Sequence, residues 1–178
     1  MALSALTGKL ENDVEIDASP DKFIYMFTHT PHHVHHTSSE RVQGCDLHEG
    51  EFGTAGSIIC WRYVHGILLL TLIQLKLHFF PFYFITGFLN VFKIWQSQNS
   101  EGAKNSITLR VLDGDVMEEY KSFVVKIQAS PKSDGEGSVV HWTLEYERLH
   151  EGIGHPETLV PFFAQLTRDI DAHLLKQN

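Results

Sequence analysis

The amino-acid sequence predicts an α+β protein in which an antiparallel sheet is joined to short helical structure near its start and to one long helix at its end. Three observations lead there. Runs that alternate between apolar and polar residues recur along the chain, as in strands with one face in a core and the other in water. Glycine- and proline-marked turns separate the later runs, and successive hairpins pair strands antiparallel. After residue 158 the apolar period lengthens to three and four, as on one face of an amphipathic helix.

The first strand spans Leu10 to Asp17, with Leu10, Val14 and Ile16 on one side and Glu11, Asp13, Glu15 and Asp17 on the other; Asn12 interrupts the apolar side. Ser19-Pro20-Asp21 then offers a capping side chain, a proline at the first helical position and an acid in the first turn, ahead of Phe23, Met26 and Phe27. These predict a short helix that ends before Pro31. Beyond a polar stretch at 37–40, VQGCDLHEG and SIICWRYVHG read as two strands joined by a wide loop holding Gly50, Gly53 and Gly56. Three more strands follow at 106–112, 120–129 and 138–149, with turns at Asp113-Gly114-Asp115 and at 131–137. In the last of them Val140, Trp142, Leu144 and Tyr146 share one face. The closing helix puts Leu159, Phe162, Phe163, Leu166, Ile170 and Leu174 on one face. A start near Thr158 keeps Pro161 in the first turn, where its missing N–H removes no helical bond. Roughly 18 residues at 1.5 Å each span about 27 Å, enough to cross a sheet.

Composition narrows the function classes. A chain of 178 residues is one domain's worth, with 1–178 read as a single unit. Its 22 acidic residues against 14 basic ones leave a formal charge of −8, the wrong sign for neutralising phosphates, so no nucleic-acid partner is expected. Cys45 and Cys60 belong to no C-x-x-C pair and cannot build a disulfide framework, which fits a reducing cytoplasm. The opening MALSALTGKLEND reaches Glu11 and Asp13 before any apolar core of a secretory signal forms.

Chemistry-bearing motifs are few. EGEFGTAGS lacks the Lys-Ser or Lys-Thr ending of a nucleotide loop and precedes a strand. His29, His32, His33, His35 and His36 form a dense cluster, but no acid or cysteine inside it offers another ligand type, so it reads as surface histidines and no metal is expected. Tyr63, His65, Asp115, Glu118 and Tyr120 are the groups a pocket could turn to acid–base work, yet no spacing among them demands it. No catalytic residue and no cofactor are assigned.

The segments GKLENDVEI, PHH at 31–33, VQGCDLHEGEFGTAGSI, VLDGDVMEEYKSF, GSVVHWTLEYERLHEG and TRDIDAHLL closely resemble plant major latex proteins, of the birch-pollen-allergen and pathogenesis-related superfamily. The resemblance covers residues 8–65 and about 103–176. It implies a seven-stranded antiparallel sheet curled in a helix-grip around the terminal helix, two short helices closing one end, and a large, mainly apolar cavity. It further implies a binding or carrier protein for hydrophobic or amphiphilic plant metabolites (steroid, phenolic or lipid-like), cytosolic and tied to defence or stress responses. Some relatives are alkaloid-pathway enzymes, so an isomerase or cyclase working in the same cavity is the alternative. The acid, lysine and tyrosine combinations of those enzymes do not map onto this chain residue by residue.

Alternation supports a cavity independently, because a curled sheet with aromatic inward positions and one covering helix rarely packs solid. Ile59, Trp61 and Tyr63 point inward if Arg62 points out, and Phe123 and Val125 do so if Lys126 points out. With Tyr146, Phe162 and Leu166 they are the candidate lining, and the alternative assigns the same residues to solid core. The loop of Gly50, Phe52, Gly53 and Gly56 borders the cavity entrance in the resembled family, where Phe52 would help close it.

One stretch departs from the pattern. Residues 67–96 contain no Asp or Glu, where 22 in 178 would place about 3.7, and they hold six of the 12 phenylalanines. Gln74, Lys76, His78 and Pro81 interrupt the first half and leave an uncharged run of 16 from Leu77 to Phe92, short of the roughly 20 a membrane helix needs, so no stable span is expected. Ile73, Leu75, Leu77 and Phe79 alternate with Gln74, Lys76 and His78 as a replacement strand would. Uridine-rich codons specify Phe, Leu, Ile and Tyr, so intron sequence retained in the gene model, giving a non-functional chain, is the third reading. Eight aromatics at about 150 Å² each approach 1,200 Å², more apolar area than monomers expose, so the segment must be buried, enter the cavity or cause self-association.

Overall fold

The computed structural model describes residues 6–65, 89–97 and 105–177. In chain order these form β1 (Thr7–Ile16), α1 (Pro20–Thr28), a 3₁₀ turn (Pro31–His33), α2 (Val34–Thr37), β2 (Val42–Glu49) and β3 (Ile58–Val64). Then come β4 (Leu89–Ser97), β5 (Ser106–Asp113), a 3₁₀ turn (Asp115–Glu118), β6 (Tyr120–Pro131), β7 (Ser138–Arg148) and α3 (Leu159–Leu175). Among the described residues seven strands make one sheet in the order β1-β7-β6-β5-β4-β3-β2, with every neighbouring pair antiparallel. The early strand β1 closes the far edge beside β7, in unbroken register from Thr7↔Glu147 to Ile16↔Ser138.

Burial follows the alternation. Along β3, Ile59, Trp61 and Tyr63 are buried while the residues between them are half-exposed, and along β6 the same holds for Phe123, Val125 and Ile127. The inward faces meet α1 and α3: Phe23, Phe27, Leu166 and Ile170 join the strand residues in one core.

Two expectations need correction. Ser19 stands at the N-cap of α1 but its side chain makes no capping bond. The backbone there is held from outside: Asp171 of α3 accepts from the amides of Ala18 at 2.8 Å and Asp17 at 3.2 Å, and Ser138 Oγ donates to the Ala18 carbonyl at 2.6 Å. These bonds hold the residues that lead into α1, ahead of its N-cap, and not the first helical amides. The second correction concerns the apolar stretch. The strand that pairs with both β3 and β5 is 89–97, by Trp61↔Phe92 on one side and Ile94↔Val111 on the other. The proposed strand at 73–79, and the rest of 67–88, lie outside the described residues.

α3 is anchored one half-turn earlier as well. Asp169 accepts from Ser38 Oγ at 2.5 Å, Arg41 at 2.9 Å and Gln165 at 2.9 Å, tying α3 to the link between α2 and β2. A buried bond fixes the helix against the sheet: Trp142 Nε1 donates to Thr167 Oγ1 at 2.9 Å, and that hydroxyl donates to the Phe163 carbonyl at 2.8 Å. Thr167→Val keeps the shape and strands the indole N–H. The expected loss is about 1–3 kcal/mol, read by urea unfolding; a loss under about 0.5 kcal/mol would show that the bond carries no net stability.

Candidate functional site

A cavity lies between the concave face of the sheet and α3. Its wall draws on Val42 of β2, Trp61 and Tyr63 of β3, Leu109 and Val111 of β5, Phe123, Val125 and Ile127 of β6, and Trp142 of β7. Phe27 of α1 and Leu159, Phe162, Phe163 and Leu166 of α3 complete it. Strands from β2 to β7 can line one space with a single helix only if the sheet curls around it. The atom-free volume, open mouth included, is ≈ 570 Å³.

Aromatic rings build the wall. Trp142 and Phe163 stack with centroids 4.4 Å apart, Tyr63 meets Phe162 edge-on at 5.6 Å, and Phe27 meets Trp142 edge-on at 5.8 Å. Helical spacing puts Leu159, Phe162, Phe163 and Leu166 on one side of α3, and Phe162 and Phe163 stay only half-buried because they face this space rather than solid core. Among the described wall residues there is no Asp, Glu, Lys, Arg or His. Such a surface takes apolar matter and offers little to a charge.

Of the eight residues proposed as lining, Trp61, Tyr63, Phe123, Val125, Phe162 and Leu166 stand on this wall. Ile59 and Tyr146 do not. Ile59 is fully buried on the inward face of β3. Tyr146 belongs to a neighbouring cluster, where its ring lies 5.5 Å from Tyr120 and 6.1 Å from Phe123 and its hydroxyl bonds His155 Nδ1. The wall residues missed by sequence reading were within reach of it: Leu109 and Val111 flank the exposed Arg110, and Ile127 continues the alternation of Phe123 and Val125.

The β2–β3 loop is shaped by its glycines. Gly50, Gly53 and Gly56 all take positive φ, of +83°, +80° and +86°, conformations that glycine adopts without strain. None of the loop residues lines the cavity; Phe52 packs on His32, centroids 4.8 Å apart. The histidine cluster divides among the end of α1, where His29 stacks on Tyr25, the 3₁₀ turn and α2. Its ring contacts run His32–His33, His33–His36 and His35–His36, not His32 to His36 as one continuous helix would give. Among the described residues no group of three or more His, Cys, Asp or Glu is arranged to hold a metal ion.

Of the acid–base groups, Tyr63 and His65 come near each other, with ring centroids 6.4 Å apart, beside Phe162. Asp115 and Glu118 are exposed. Tyr120 donates its hydroxyl to the Gly154 carbonyl at 2.9 Å, and burial pushes its phenol up to about 12. His65 lies beside the wall, its ring 5.7 Å from Phe162 and its Nε2 hydrogen-bonded to Thr158 Oγ1 at 2.9 Å. Burial holds its imidazole below the ordinary 6.5. Protonation therefore favours the unfolded chain, so the stability present above about pH 6.5 declines as the pH falls below it. His32 is lowered by burial as well. His65→Gln should then partly flatten the fall in Tm between about pH 7 and pH 5, and an unchanged slope would remove His65 from the titration.

Comparison with known proteins places this geometry. The pathogenesis-related protein Bet v 1 family matches residues 5–67 and 90–177, so the match resumes at β4 and the unmatched stretch is 68–89, shorter than the 67–96 expected. MLP-like protein 28 of Arabidopsis thaliana is 48% identical over 174 residues, covering 98% of this chain; the chain spans 46% of that protein's length. MLP-like protein 31 of the same plant is 44% identical, with 98% of this chain and 90% of that protein covered. The crystal structure of major latex-like protein 151 from Panax ginseng superposes with a TM-score of 0.77 at 33% identity, covering 94% of this chain and 97% of that one. Norcoclaurine synthase from Thalictrum flavum shares the fold with a TM-score of 0.64 at 15% identity, over 95% of this chain and 87% of that one.

Proposed function

The chain belongs to the pathogenesis-related protein Bet v 1 family, and on that premise we propose that it is a cytosolic carrier of a hydrophobic or amphiphilic plant metabolite. A steroid, a phenolic or a lipid-like molecule fits, in the setting of defence or stress responses. The observation that carries the reading is the cavity between sheet and α3, walled by aromatic and aliphatic side chains with no ionisable carboxylate, amine or imidazole among its described residues. An apolar surface kept inside the fold, instead of being packed solid, is what a molecule of that kind needs. No described helix is long and apolar enough to cross a membrane.

Titration with a fluorescent apolar probe, followed by competition with steroids, phenolics and fatty acids, tests the proposal. Saturable displacement by at least one class is expected; displacement by none would end it. Incubation with plant extract separates a carrier from an isomerase or cyclase, since a carrier returns its ligand with unchanged mass and retention time.

Self-association is the companion proposal. Residues 67–88 hold five phenylalanines and Tyr83 without an Asp or Glu, close to 900 Å² at about 150 Å² per ring. Sedimentation should show a species larger than a monomer, and replacing 67–88 with a short polar turn that spares β4 should return a monomer. A monomeric full chain would overturn it.

A further inference from the structure

A second space adjoins the cavity wall, between β1, β7 and α3. Leu10 and Asn12 of β1, Leu144 of β7 and Val160 of α3 line it together with Trp142 and Phe163. It opens where Asn12 interrupts the apolar side of β1, opposite Trp142 in register. Its atom-free volume, open mouth included, is ≈ 180 Å³, and as it stands it is too narrow to take in a water molecule.

Trp142 and Phe163 are the two residues common to this recess and to the cavity. Their rings stack, centroids 4.4 Å apart and 18° from parallel, so together they form the partition between the two spaces. The two halves of the partition are held differently. Trp142 is 2% exposed, lies within β7 and donates its indole N–H to Thr167 Oγ1 at 2.9 Å. Phe163 is half-buried, has no polar side-chain atom to anchor it and borders both spaces. A ring that borders space on two sides lacks packing partners there and forfeits their dispersion contacts, so it is the half that yields.

Building on the carrier reading, we propose that Phe163 sets how long a ligand the cavity accepts. Its ring closes the cavity toward the recess, and a ligand that displaces the ring gains Leu10, Leu144 and Val160 as an apolar extension of the wall. Phe162 is the built-in comparison: it is adjacent in sequence, carries the same ring and stands on the cavity wall, but it does not line the recess.

Displacement of a fluorescent apolar probe by straight-chain 1-alkanols of increasing length tests this. Each added methylene should tighten binding about fourfold until the chain fills the cavity, after which affinity levels off. In Phe163→Ala that length should move at least about two methylenes further than in Phe162→Ala, a difference of about sixteenfold for the longest chains. Both variants remove one ring from the same wall, so the excess measures the recess. Val160→Phe, which narrows the recess without bordering the cavity, should take that excess away. Where Phe163→Ala fails to fold, Phe163→Leu against Phe162→Leu makes the same comparison, with a smaller shift in the same direction. Equal levelling-off lengths in the paired variants, or an excess that survives Val160→Phe, overturn the partition and leave the carrier reading standing. Alkanols that fail to displace the probe from the unmodified chain also overturn the inference, and the carrier reading falls only if steroids, phenolics and fatty acids fail as well.

Discussion

Leu166→Trp is expected to weaken binding of an apolar ligand about a hundredfold while the protein stays folded. Leu166 of α3 stands on the cavity wall and is 4% exposed, so a larger side chain there takes up space that a ligand would use. A ligand denied about 100 Å² of wall loses roughly 2.5 kcal/mol at 25 cal/mol per Å², close to a hundredfold in affinity. Overpacking costs about 1–3 kcal/mol in a solid core and less where space exists, so the Tm should drop by only a few degrees. Probe titration and thermal melting, run side by side, check both halves. Unchanged affinity with an unchanged Tm would mean that the ligand sits elsewhere.

The largest stability effect is expected at Gly137, the residue before β7. Gly137 has φ +78°, and a Cβ placed on it would lie 2.2 Å from the Ile16 carbonyl oxygen and 3.0 Å from Asp17 Cα. Both obstacles are backbone, in the place where β1 ends beside β7 and Ser138 reaches the Ala18 carbonyl. Neither can swing away as a side chain would. Gly137→Ala should therefore cost at least about 3 kcal/mol, the strain of a left-handed non-glycine residue plus displacement of the β1 end. Gly135 is the internal control. It has φ +85° but nothing within 4 Å of its Cβ, so Gly135→Ala should cost only the conformational part, about 1 kcal/mol. Denaturant unfolding of the two variants gives the difference directly; equal losses would show that the β1 end yields to the added methyl group.

Much of the scaffold was readable because burial of one face is a local, periodic property. Alternation at Val140, Trp142, Leu144 and Tyr146 marked β7, and the longer period from Leu159 to Leu174 marked α3, with Pro161 in its first turn. β4 escaped for the converse reason. In LNVFKIWQS the apolar residues run on through both faces and continue those of 67–88, so no alternation separates the strand from its flank. Its place was decided by pairing, with β3 on one side and β5 on the other. The hold on the segment that enters α1 likewise depended on Asp171, 153 residues away from the Ala18 amide it accepts from.

The sequence by itself determined the class of the protein, the direction in which each side chain of β3, β6 and β7 faces, and the apolar character of whatever those faces enclose. It could not separate wall from core: Ile59 and Trp61 share a face, a strand and near-complete burial, yet of the two it is Trp61 that stands on the wall of this cavity. That difference arises from how far α3 stands off the curled sheet at each point, which depends on side chains remote in sequence. The same holds for the two indoles. Alternation placed both tryptophans inward, but the hydroxyl that satisfies Trp142 comes from Thr167, 25 residues on, and among the described residues nothing comparable meets Trp61. Hydrogen-bond satisfaction is set by distances of a few tenths of an ångström between separate elements, and the tertiary structure alone fixes those.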